Sequence, residues 1–262
     1  MHERHTNKTQ YFEEQIYTTK KYVIPFIGKY KQIDKHTSVL EIGCGEGGNL
    51  KPFMDLGCKI TGIDLSHGKI ELAHKFFEKH ENYKNLTLIC EDIYNRSDLG
   101  KFDVIIFKDV IEHIPNQEKF MGYLKNFLHS GSAVYFGFPP WQNPFGGHQQ
   151  MCKNKILSKL PYFHLLPRFI YKGILRLFGE PAVKINGLLE VKETGISIER
   201  FERILKKHEY KITNRTFYFI NPNYEVKFKL KPQKQNRIIA LIPWVRNFFT
   251  TSAYYLVSNS NK

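Results

Sequence analysis

The sequence predicts an α/β protein whose seven-stranded, mostly parallel sheet is covered by helices on both faces. First, short apolar runs alternate with helical segments from residue 38 to residue 139, as in sheets buried on both faces. Second, the first run ends in a loop with four glycines in six residues, 43–48, where a ligand can approach the backbone before a helix begins. Third, 262 residues suit one large domain with insertions.

Each element of the alternating region follows from its apolar pattern and its boundary residues. The chain opens with one or two helices over residues 9–30, interrupted near Pro25, and glycines end later helices at Gly57 and Gly131. The predicted strands are 38–43, 59–66, 86–93, 101–109 and 132–139, and the helices between them are 49–57, 68–80 and 115–130.

The alternation stops after Pro139, which indicates insertions into the sheet. An irregular aromatic and basic stretch follows at 140–195, with no clear partner strand; then come a helix at 196–208, a sixth strand at 210–220 and a seventh at 252–259. The predicted units are a helical cover (1–37), a ligand-binding core (38–140), an inserted lid (141–195) and a segment that completes the core (196–262) and holds a second insertion (222–250).

Composition argues against several classes of protein. The sequence has no run of 18 or more apolar residues, so we expect no membrane-spanning helix. Residues 1–14 lack the apolar core of a signal peptide, so we expect a cytosolic protein. The cysteines form no CxxC pair, so we expect reduced thiols rather than disulfides or a zinc site. They are Cys44, Cys58, Cys90 and Cys152.

The positive charge lies in the second half of the chain. Residues 1–140 hold 18 basic and 18 acidic residues, whereas residues 141–262 hold 21 basic and 7 acidic residues and so carry the whole net charge of +14. Residues 141–195 and 222–250 each have a net charge of +5. About ten of these charges therefore fall on the two insertions, which both begin at the carboxyl edge of the sheet, where ligands of such folds bind.

The glycine loop alone allows two interpretations. Residues 43–48 match GxGxxG, the fingerprint of dinucleotide-binding proteins. The same loop also matches an acidic residue two positions before GxGxG, beginning at Glu41. Asp64, at the end of the second strand, suits both because an acid there accepts hydrogen bonds from ribose hydroxyls.

Four motifs in order favour the second interpretation. They are 41–47 (EIGCGEG), 62–66 (GIDLS), 91–93 (EDI) and 102–105 (FDVI) with 109–113 (DVIEH). This set resembles the motifs of the class I S-adenosylmethionine-dependent methyltransferases. Among them, it looks most like the small-molecule branch that is related to the quinone-biosynthesis enzymes. The resemblance covers about residues 35–140, and more loosely 196–220 and 252–259. It implies a Rossmann-like fold, S-adenosylmethionine as cofactor and S-adenosylhomocysteine as product.

The resemblance also implies roles for individual residues. Glu41 would orient the loop and help to hold the methionine ammonium, Asp64 would accept from the ribose hydroxyls, and Asp92 would accept from the adenine amino group, with Ile93 packed on the ring. The carbonyl near Phe107–Lys108 would face the ammonium, whereas Asp103 is expected to support the fold. The complete cofactor set is Glu41, Gly43, Gly45, Gly47, Asp64, Leu65, Asp92, Ile93, Phe107 and Lys108. Taken singly, Glu41 also fits a solvated charge and Asp92 a turn cap.

Two histidines are candidates for a catalytic base. His113 follows the fourth strand and His148 follows the fifth, so both lie at the carboxyl edge of the sheet. The alternatives are a packed histidine at a helix start for His113 and an exposed loop histidine for His148. Gly146 and Gly147 indicate a hinge or a close backbone approach beside His148. No cluster has metal-ligand spacing along the chain, so we expect no metal.

The lid and the second insertion bear on the acceptor. Residues 153–179 and 238–256 interleave aromatic, aliphatic and basic side chains. They could form a core with snorkelling charges, an apolar tunnel with a basic mouth, or a surface on an anionic membrane. Residues 138–141 (FPPW) resemble the (D/N)PPY motif of amino-methyltransferases, but that motif follows the fourth strand, so we discount DNA base methylation.

The sequence therefore favours methyl transfer, most simply to oxygen, on a small, lipid-like or anionic bacterial metabolite or glycan precursor. An RNA or protein methyltransferase is the alternative among related enzymes, with nucleic acid the less favoured partner because the charges are mixed with aliphatic runs. An NAD(P)-dependent oxidoreductase is the alternative from another class of enzyme. A binding subunit that keeps the cofactor pocket without catalysis is the third.

Overall fold

A computed structural model describes residues 7–259, which form one eight-stranded sheet with helices on both faces. The strands are β1 Ser38–Ile42, β2 Lys59–Asp64, β3 Leu86–Cys90, β4 Phe102–Lys108, β5 Leu128–Phe138, β6 Tyr210–Ile220, β7 Gln233–Lys234 and β8 Ser252–Asn259. Their order across the sheet is β3-β2-β1-β4-β5-β8-β6-β7. The predicted fold class is confirmed, and the extra strand β7 is a two-residue edge strand inside the second insertion.

The directions of the strands determine which edge of the sheet carries the candidate site residues. Strands β1 to β5 are mutually parallel, and β8 runs antiparallel to both β5 and β6. Strands β1 to β6 therefore end on the same side of the sheet. The loops that leave this carboxyl edge carry the glycines, the acids and the histidines identified in the sequence.

The helices divide between the two faces of the sheet. They are α1 Lys8–Thr18, α2 Ile24–Gly28, α3 Lys51–Asp55, α4 His67–Phe77, α5 Gln117–Leu124, α6 Arg168–Leu177, α7 Ala182–Thr194, α8 Ile198–Lys207, α9 Asn223–Phe228, α10 Arg237–Leu241 and α11 Val245–Phe248. Helices α1 to α4 bury apolar side chains in one core, and α5 and α8 bury theirs in the other. Both faces of the sheet are therefore buried under helices, which explains why the sequences of β1 and β4 are almost continuously apolar.

The N-terminal cover is one interrupted helix. A single π-helical turn, Thr19–Val23, joins α1 to α2, and Pro25, which has no N–H to donate, lies in the first turn of α2 directly after it. A Cβ at Gly48 would lie 2.5 Å from Oε1 of Gln15 in α1. The cover therefore packs directly on the glycine loop. Residues 1–6 of the predicted cover, and 260–262 at the other end, lie outside the described residues.

Asp103, at the start of β4, supports the opposite edge of the sheet. Its carboxylate accepts from the backbone N–H and hydroxyl of Ser38 at 2.9 and 2.8 Å and from Nζ of Lys31 at 3.0 Å. Burial alone would raise the pKa of Asp103, but these hydrogen bonds outweigh it and lower the pKa to about 2. The residue therefore ties β4 to β1 and to the N-terminal cover, far from the carboxyl edge.

Two segments differ from the sequence prediction. The helix predicted to reach residue 130 ends at Leu124, and β5 begins at Leu128 because Leu128 pairs with Phe102 before a register shift. The lid is helical rather than irregular. Helices α6 and α7 pack on short turns around their own small core, which includes Phe163, Tyr171 and Leu188. Within residues 7–259, no helix is both long and apolar enough to span a membrane.

Candidate active site

The glycine loop is folded by left-handed backbone and by close contacts. Gly43, Gly45 and Gly47 all have positive φ, +75°, +54° and +84°. A Cβ at Gly43 would lie 2.7 Å from Val110, and a Cβ at Gly47 would lie 2.6 Å from the ring of Phe77. Around Gly45 the space is open, with only Lys69 at 3.9 Å. Gly45 therefore leaves room for a ligand, whereas Gly47 permits packing against α4.

A cavity of about 250 Å³ opens beside this loop. It is lined by Ile42, Gly43, Ile63, Asp64, Leu65, Glu91, Asp92, Ile93, Tyr94, Val110, His113, Ile114, Pro115 and Phe120. Three carboxylates and a predominantly apolar wall match a ligand with hydroxyl or amine donors and a flat ring. Of the residues that the sequence assigned to the cofactor, five line this cavity. They are Gly43, Asp64, Leu65, Asp92 and Ile93.

Asp64 and Asp92 are both fixed by backbone donors. The oxygens of Asp64 accept from the N–H groups of Gly45 and Ser66, each at 2.9 Å. Oδ1 of Asp92 accepts from the N–H of Tyr94 at 3.0 Å, so Asp92 is a turn cap as well as a wall of the cavity. Each ionised carboxylate retains further lone pairs for ligand donors.

Glu41 lies beneath the loop, fully buried, rather than at the wall of the cavity. Its Oε1 accepts from Asn49 at 2.8 Å, whereas Oε2 has no hydrogen-bond partner. Burial raises the pKa of Glu41 to about 8, although Asn49 and the nearby Lys108 act in the opposite direction. The interpretation of Glu41 as a solvated charge at a strand end is therefore wrong. Its unpaired oxygen is suited to a cationic donor.

The remaining cofactor candidates lie outside the wall of this cavity. Gly45 lies in the glycine loop beside the cavity, and Gly47 packs against α4. The side chain of Phe107 is buried and stacked on Phe136, with ring centroids 4.9 Å apart. Lys108 pairs with Gly137 in the sheet. The prediction for these last two residues concerned a backbone carbonyl, and it stays a prediction.

His113 and His148 meet at the boundary between cavities. Their ring centroids are 4.9 Å apart at an angle of 66°. His113 lines both the cofactor cavity and a neighbouring cavity of about 530 Å³, and His148 lines this second cavity as well. His113 is exposed and His148 is half-buried, and the protein atoms packed around the two rings lower the pKa of each, that of His148 to about 3 with help from His113 and His164. Both imidazoles are therefore neutral at physiological pH, with lone pairs available.

The lid forms much of the second cavity. Helix α7 supplies most of its wall, with Leu188 and Val191 apolar and Lys184 basic. A third cavity, of about 210 Å³, lies on the other side of His148 and includes Lys227 from the second insertion. Each basic insertion therefore contributes one lysine to a cavity that His148 also lines.

The two glycines before His148 serve close packing. A Cβ at Gly146 would lie 2.2 Å from the carbonyl oxygen of Trp141, and one at Gly147 would lie 2.2 Å from Cβ of His164. His164 is itself buried, with Nε2 at 2.8 Å from the Trp141 carbonyl oxygen. The sequence allowed either a hinge or a close backbone approach at these two glycines, and the structure shows the close approach. His148 itself adopts left-handed backbone, with φ +55°.

Sequence reasoning missed two features of this site. Val110 packs over Gly43 and lines the cofactor cavity, but an apolar residue after a strand carries no distinctive signal. Glu112 is 2% exposed, and neither of its carboxyl oxygens has a hydrogen-bond partner. One ligand atom from each of Glu112, His113 and His148 lies within 4.8 Å of the other two. Spacing along the chain could not show this group, because β5 and the start of the lid separate its members.

Comparisons with known proteins identify the family of the chain. A family model described as a methyltransferase domain matches residues 33–166, slightly more than half of the chain. The mitochondrial ubiquinone biosynthesis O-methyltransferase of Dictyostelium discoideum is 30% identical over 108 residues, 37% of this chain and 34% of that protein. The ubiquinone biosynthesis O-methyltransferase of Glaesserella parasuis is 32% identical over 101 residues, 37% of this chain and 43% of that protein. The chain thus matches less than half of the length of these relatives.

Solved structures share the whole fold. An S-adenosylmethionine-dependent methyltransferase from Clostridium acetobutylicum has a TM-score of 0.57 at 14% identity, covering 93% of this chain and 91% of that one. Magnesium protoporphyrin IX methyltransferase from Synechocystis, solved with S-adenosylhomocysteine, has a TM-score of 0.55 at 17% identity, covering 92% and 82%.

The fold is that of the class I, Rossmann-like S-adenosylmethionine-dependent methyltransferases. The chain belongs to the methyltransferase domain family, and within it resembles the quinone-biosynthesis O-methyltransferases. The dinucleotide interpretation of the glycines, and with it an NAD(P)-dependent oxidoreductase, is set aside.

Proposed function

We propose that the chain transfers the methyl group of S-adenosylmethionine to an oxygen of a small, largely apolar acceptor with a polar or anionic head. The observation that carries this proposal is the position of His113, which lines both the cofactor cavity and the larger cavity under the lid. A methyl donor in one cavity and an acceptor in the other would meet at this residue. The named O-methyltransferases among the relatives support oxygen as the nucleophile.

The residues present fit the cofactor. The unpaired Oε2 of buried Glu41 suits the methionine ammonium, Asp64 suits the ribose hydroxyls, and Asp92 with Ile93 suits the adenine. When bound, S-adenosylmethionine supplies an electrophilic methyl group on a sulfonium with its own leaving group. The chain's task is then to hold the acceptor oxygen in line with that methyl group and to take up its proton.

The second and third cavities suit an amphiphilic acceptor. The wall of the larger one is mainly apolar. Lys184 and Lys227 bring positive charge from the two insertions, and they share these cavities with the carboxyl groups of Glu190, Asp109 and Glu112. Nζ of Lys184 donates to the carbonyl of Met151 at 2.5 Å, and both residues line the larger cavity with His148. Neutral His113 and His148 offer lone pairs to an acceptor hydroxyl at the junction.

The proposal is tested by binding and then by turnover. Calorimetry should show that S-adenosylhomocysteine binds to the purified chain and that NADH does not. With radiolabelled S-adenosylmethionine, we expect methyl transfer to a prenylated phenol to exceed transfer to bulk RNA or to a basic protein. Widespread labelling of RNA or protein, with none of the phenol, would replace this proposal by the alternative acceptor classes.

The same insertions support a peripheral association with anionic membranes, where an amphiphilic acceptor would be found. Exposed apolar side chains stand among basic residues in α6 and around α10. We propose such contact as part of the function, in a protein otherwise expected in the cytosol.

A further inference from the structure

We propose that Gly187, in the middle of the lid helix α7, is a specificity-determining residue that makes room for an elongated apolar group on the methyl acceptor. The inference rests on the proposed function for what the cavity holds, whereas the open space follows from the helix itself. Gly187 lines the cavity of about 530 Å³ that His113 and His148 also line. The apolar group of the acceptor would cross α7 at this glycine, where backbone rather than a side chain forms the wall.

The position of Gly187 within α7 is the first argument. It is the sixth residue of the 13-residue helix Ala182–Thr194, far from both ends. A glycine inside a helix costs stability relative to alanine, because its backbone loses more conformational freedom on folding. The backbone at Gly187 is helical, so neither a turn nor left-handed backbone requires glycine there.

The space beside Gly187 is the second argument. Apart from its chain neighbours and the helix backbone, no described atom would lie within 4 Å of a Cβ at Gly187. Gly147, which serves close packing, differs in this respect, because a Cβ there would lie 2.2 Å from His164. Gly187 is nevertheless half-buried, so the open space belongs to the cavity rather than to the outer surface. Room for a ligand is the remaining physical reason for a glycine at this position.

The neighbours of Gly187 on the helix define the shape of this space. Residues three and four positions apart share one face of a helix. On the N-terminal side these are Val183 and Lys184, on the C-terminal side they are Glu190 and Val191, and all four line the same cavity. Gly187 is therefore a gap at the centre of the face that lines the cavity. The two valines flank the gap, and Lys184 and Glu190 carry opposite charges, so the gap suits an uncharged apolar group.

The distance between Gly187 and the reaction junction determines how long the acceptor must be. The C-terminal end of α7 is held beside the loop of His113, because Nε2 of Gln117 donates to the carbonyls of both Ile111 and Thr194. Gly187 precedes Thr194 by seven residues. A helical rise of roughly 1.5 Å per residue places it about 10 Å away along the axis. An acceptor whose reacting oxygen lies at the junction therefore meets Gly187 only if an apolar group extends over this distance.

The test compares two acceptors on the purified full chain. One is the prenylated phenol and the other is the same phenol without the prenyl group. Calorimetry in the presence of S-adenosylhomocysteine should show that Gly187→Leu weakens binding of the prenylated phenol at least tenfold, because the leucine side chain would occupy the space of the prenyl group. With radiolabelled S-adenosylmethionine, the KM for the prenylated phenol should rise by a similar factor in G187L, whereas the KM for the short phenol should stay unchanged.

Gly173→Leu is the matched control. Gly173 is the sixth residue of the other long lid helix, α6, and a Cβ there also meets open space, but Gly173 does not line the cavity. We expect G173L to bind both phenols as the unchanged chain does. Equal weakening of the prenylated phenol in G187L and G173L would overturn the proposal, as would equal affinity in G187L and the unchanged chain.

Gly187→Ala separates ligand binding from the packing of the lid. We expect the Tm of the empty protein to rise by about 2–4 °C, since alanine favours the helix and its methyl group meets open space. The affinity for the prenylated phenol should fall in the same variant. A lower Tm in G187A would show that the glycine serves packing, and would overturn the proposal.

The two proposals fail in different ways. If the unchanged chain binds the prenylated phenol and G187L does not, but neither phenol is methylated, the role of Gly187 stands and the proposed function is wrong. If the unchanged chain methylates the short phenol but does not bind the prenylated one, the proposed function stands and the inference about Gly187 is wrong.

Discussion

At the scale of single residues, Glu41 combines full burial with an unpartnered oxygen, a cost that either a proton or a bound cation offsets. Its folded pKa of about 8 lies above the ordinary value of 4.5. Without cofactor, the folded chain therefore holds a proton that the unfolded chain releases, and stability falls as pH rises from about 4.5 to about 8. The empty folded protein therefore carries the Glu41 charge mainly above about pH 8, where its burial costs the most stability.

Glu41→Gln tests this directly. We expect the empty variant to be more stable than the unchanged chain at pH 8, because it carries no buried charge. Its affinity for S-adenosylhomocysteine should fall roughly 10- to 100-fold, the loss of a charge-assisted hydrogen bond of about 1.5–3 kcal/mol. Calorimetry at pH 6 and pH 8 should show affinity rising with pH in the unchanged chain and nearly constant in E41Q. A pH dependence that E41Q retains would assign it to another group.

Gly45 and Gly47 form a matched pair with different functions. Gly45→Ala places its methyl group in open space near the cofactor cavity, so we expect a loss of about 1–2 kcal/mol of stability from the left-handed backbone and at least tenfold weaker cofactor binding. Gly47→Ala should lose more stability, because its methyl group meets the Phe77 ring. Thermal unfolding and cofactor titration of both variants separate the two effects. Equal losses of stability would contradict the distinction.

At the scale of elements, the N-terminal cover is connected to the cofactor loop by buried hydrogen bonds. The hydroxyl of Thr19 donates to Oδ1 of Asn49 at 2.8 Å, and Nδ2 of Asn49 donates to Glu41 at 2.8 Å. Thr19 begins the π-helical turn, so the irregular turn between α1 and α2 delivers the hydroxyl to this chain of contacts. The cover therefore helps to orient Glu41.

Thr19→Val removes the hydroxyl and keeps the shape of the side chain. We expect a loss of about 1–3 kcal/mol of stability, since the buried amide oxygen of Asn49 loses its donor, and a severalfold weaker affinity for S-adenosylhomocysteine. Thr9→Val, at an exposed position of α1, is the control. Cofactor affinity that is identical in T19V and T9V would show that the cover has no part in binding.

Elements differ in how far the sequence predicts them. Strands β6 and β8 lie at the predicted bounds, because each is a long run of alternating or apolar residues with clear ends. Helices α6 and α7 were missed, although Pro167 and Pro181 precede them and Gly179 and Gly195 follow. In these segments apolar and basic residues are so frequent that the helical repeat of apolar positions is not visible in the sequence. The lid buries one helix face in its own core, and another face lines a cavity.

The candidate site shows the same division. Asp64 ends β2 and Asp92 follows β3, so both could be placed at the carboxyl edge from sequence alone. The group formed by Glu112, His113 and His148 depends on the left-handed backbone at His148 and on the packing of Gly147 against His164. These are tertiary contacts between distant segments, and a single sequence does not contain their distances.

At the scale of the whole molecule, the positive charge and the exposed apolar residues lie on the same two insertions. In α6, Phe169 is 77% and Leu177 is 82% exposed, in a helix with three basic residues. In the second insertion, Trp244 is 59% exposed. The hydroxyl of Tyr162 in the lid donates to the carbonyl of Phe248, so the two insertions are in contact. Apolar and basic side chains on adjoining segments are typical of a surface that binds anionic membranes.

This arrangement predicts binding that depends on both the charge and the apolar side chains. We expect the chain to sediment with vesicles that contain phosphatidylglycerol and not with pure phosphatidylcholine, and added salt should weaken the association. Phe169→Asp combined with Leu177→Asp should reduce binding at least tenfold, whereas Tyr30→Asp, an exposed aromatic residue at the end of α2, should not. Because α6 does not line the acceptor cavities, turnover of a water-soluble acceptor should be unchanged in the double variant. If the double variant still bound vesicles, the positive charge alone would account for the attraction, and the exposed apolar residues of the lid would need another partner.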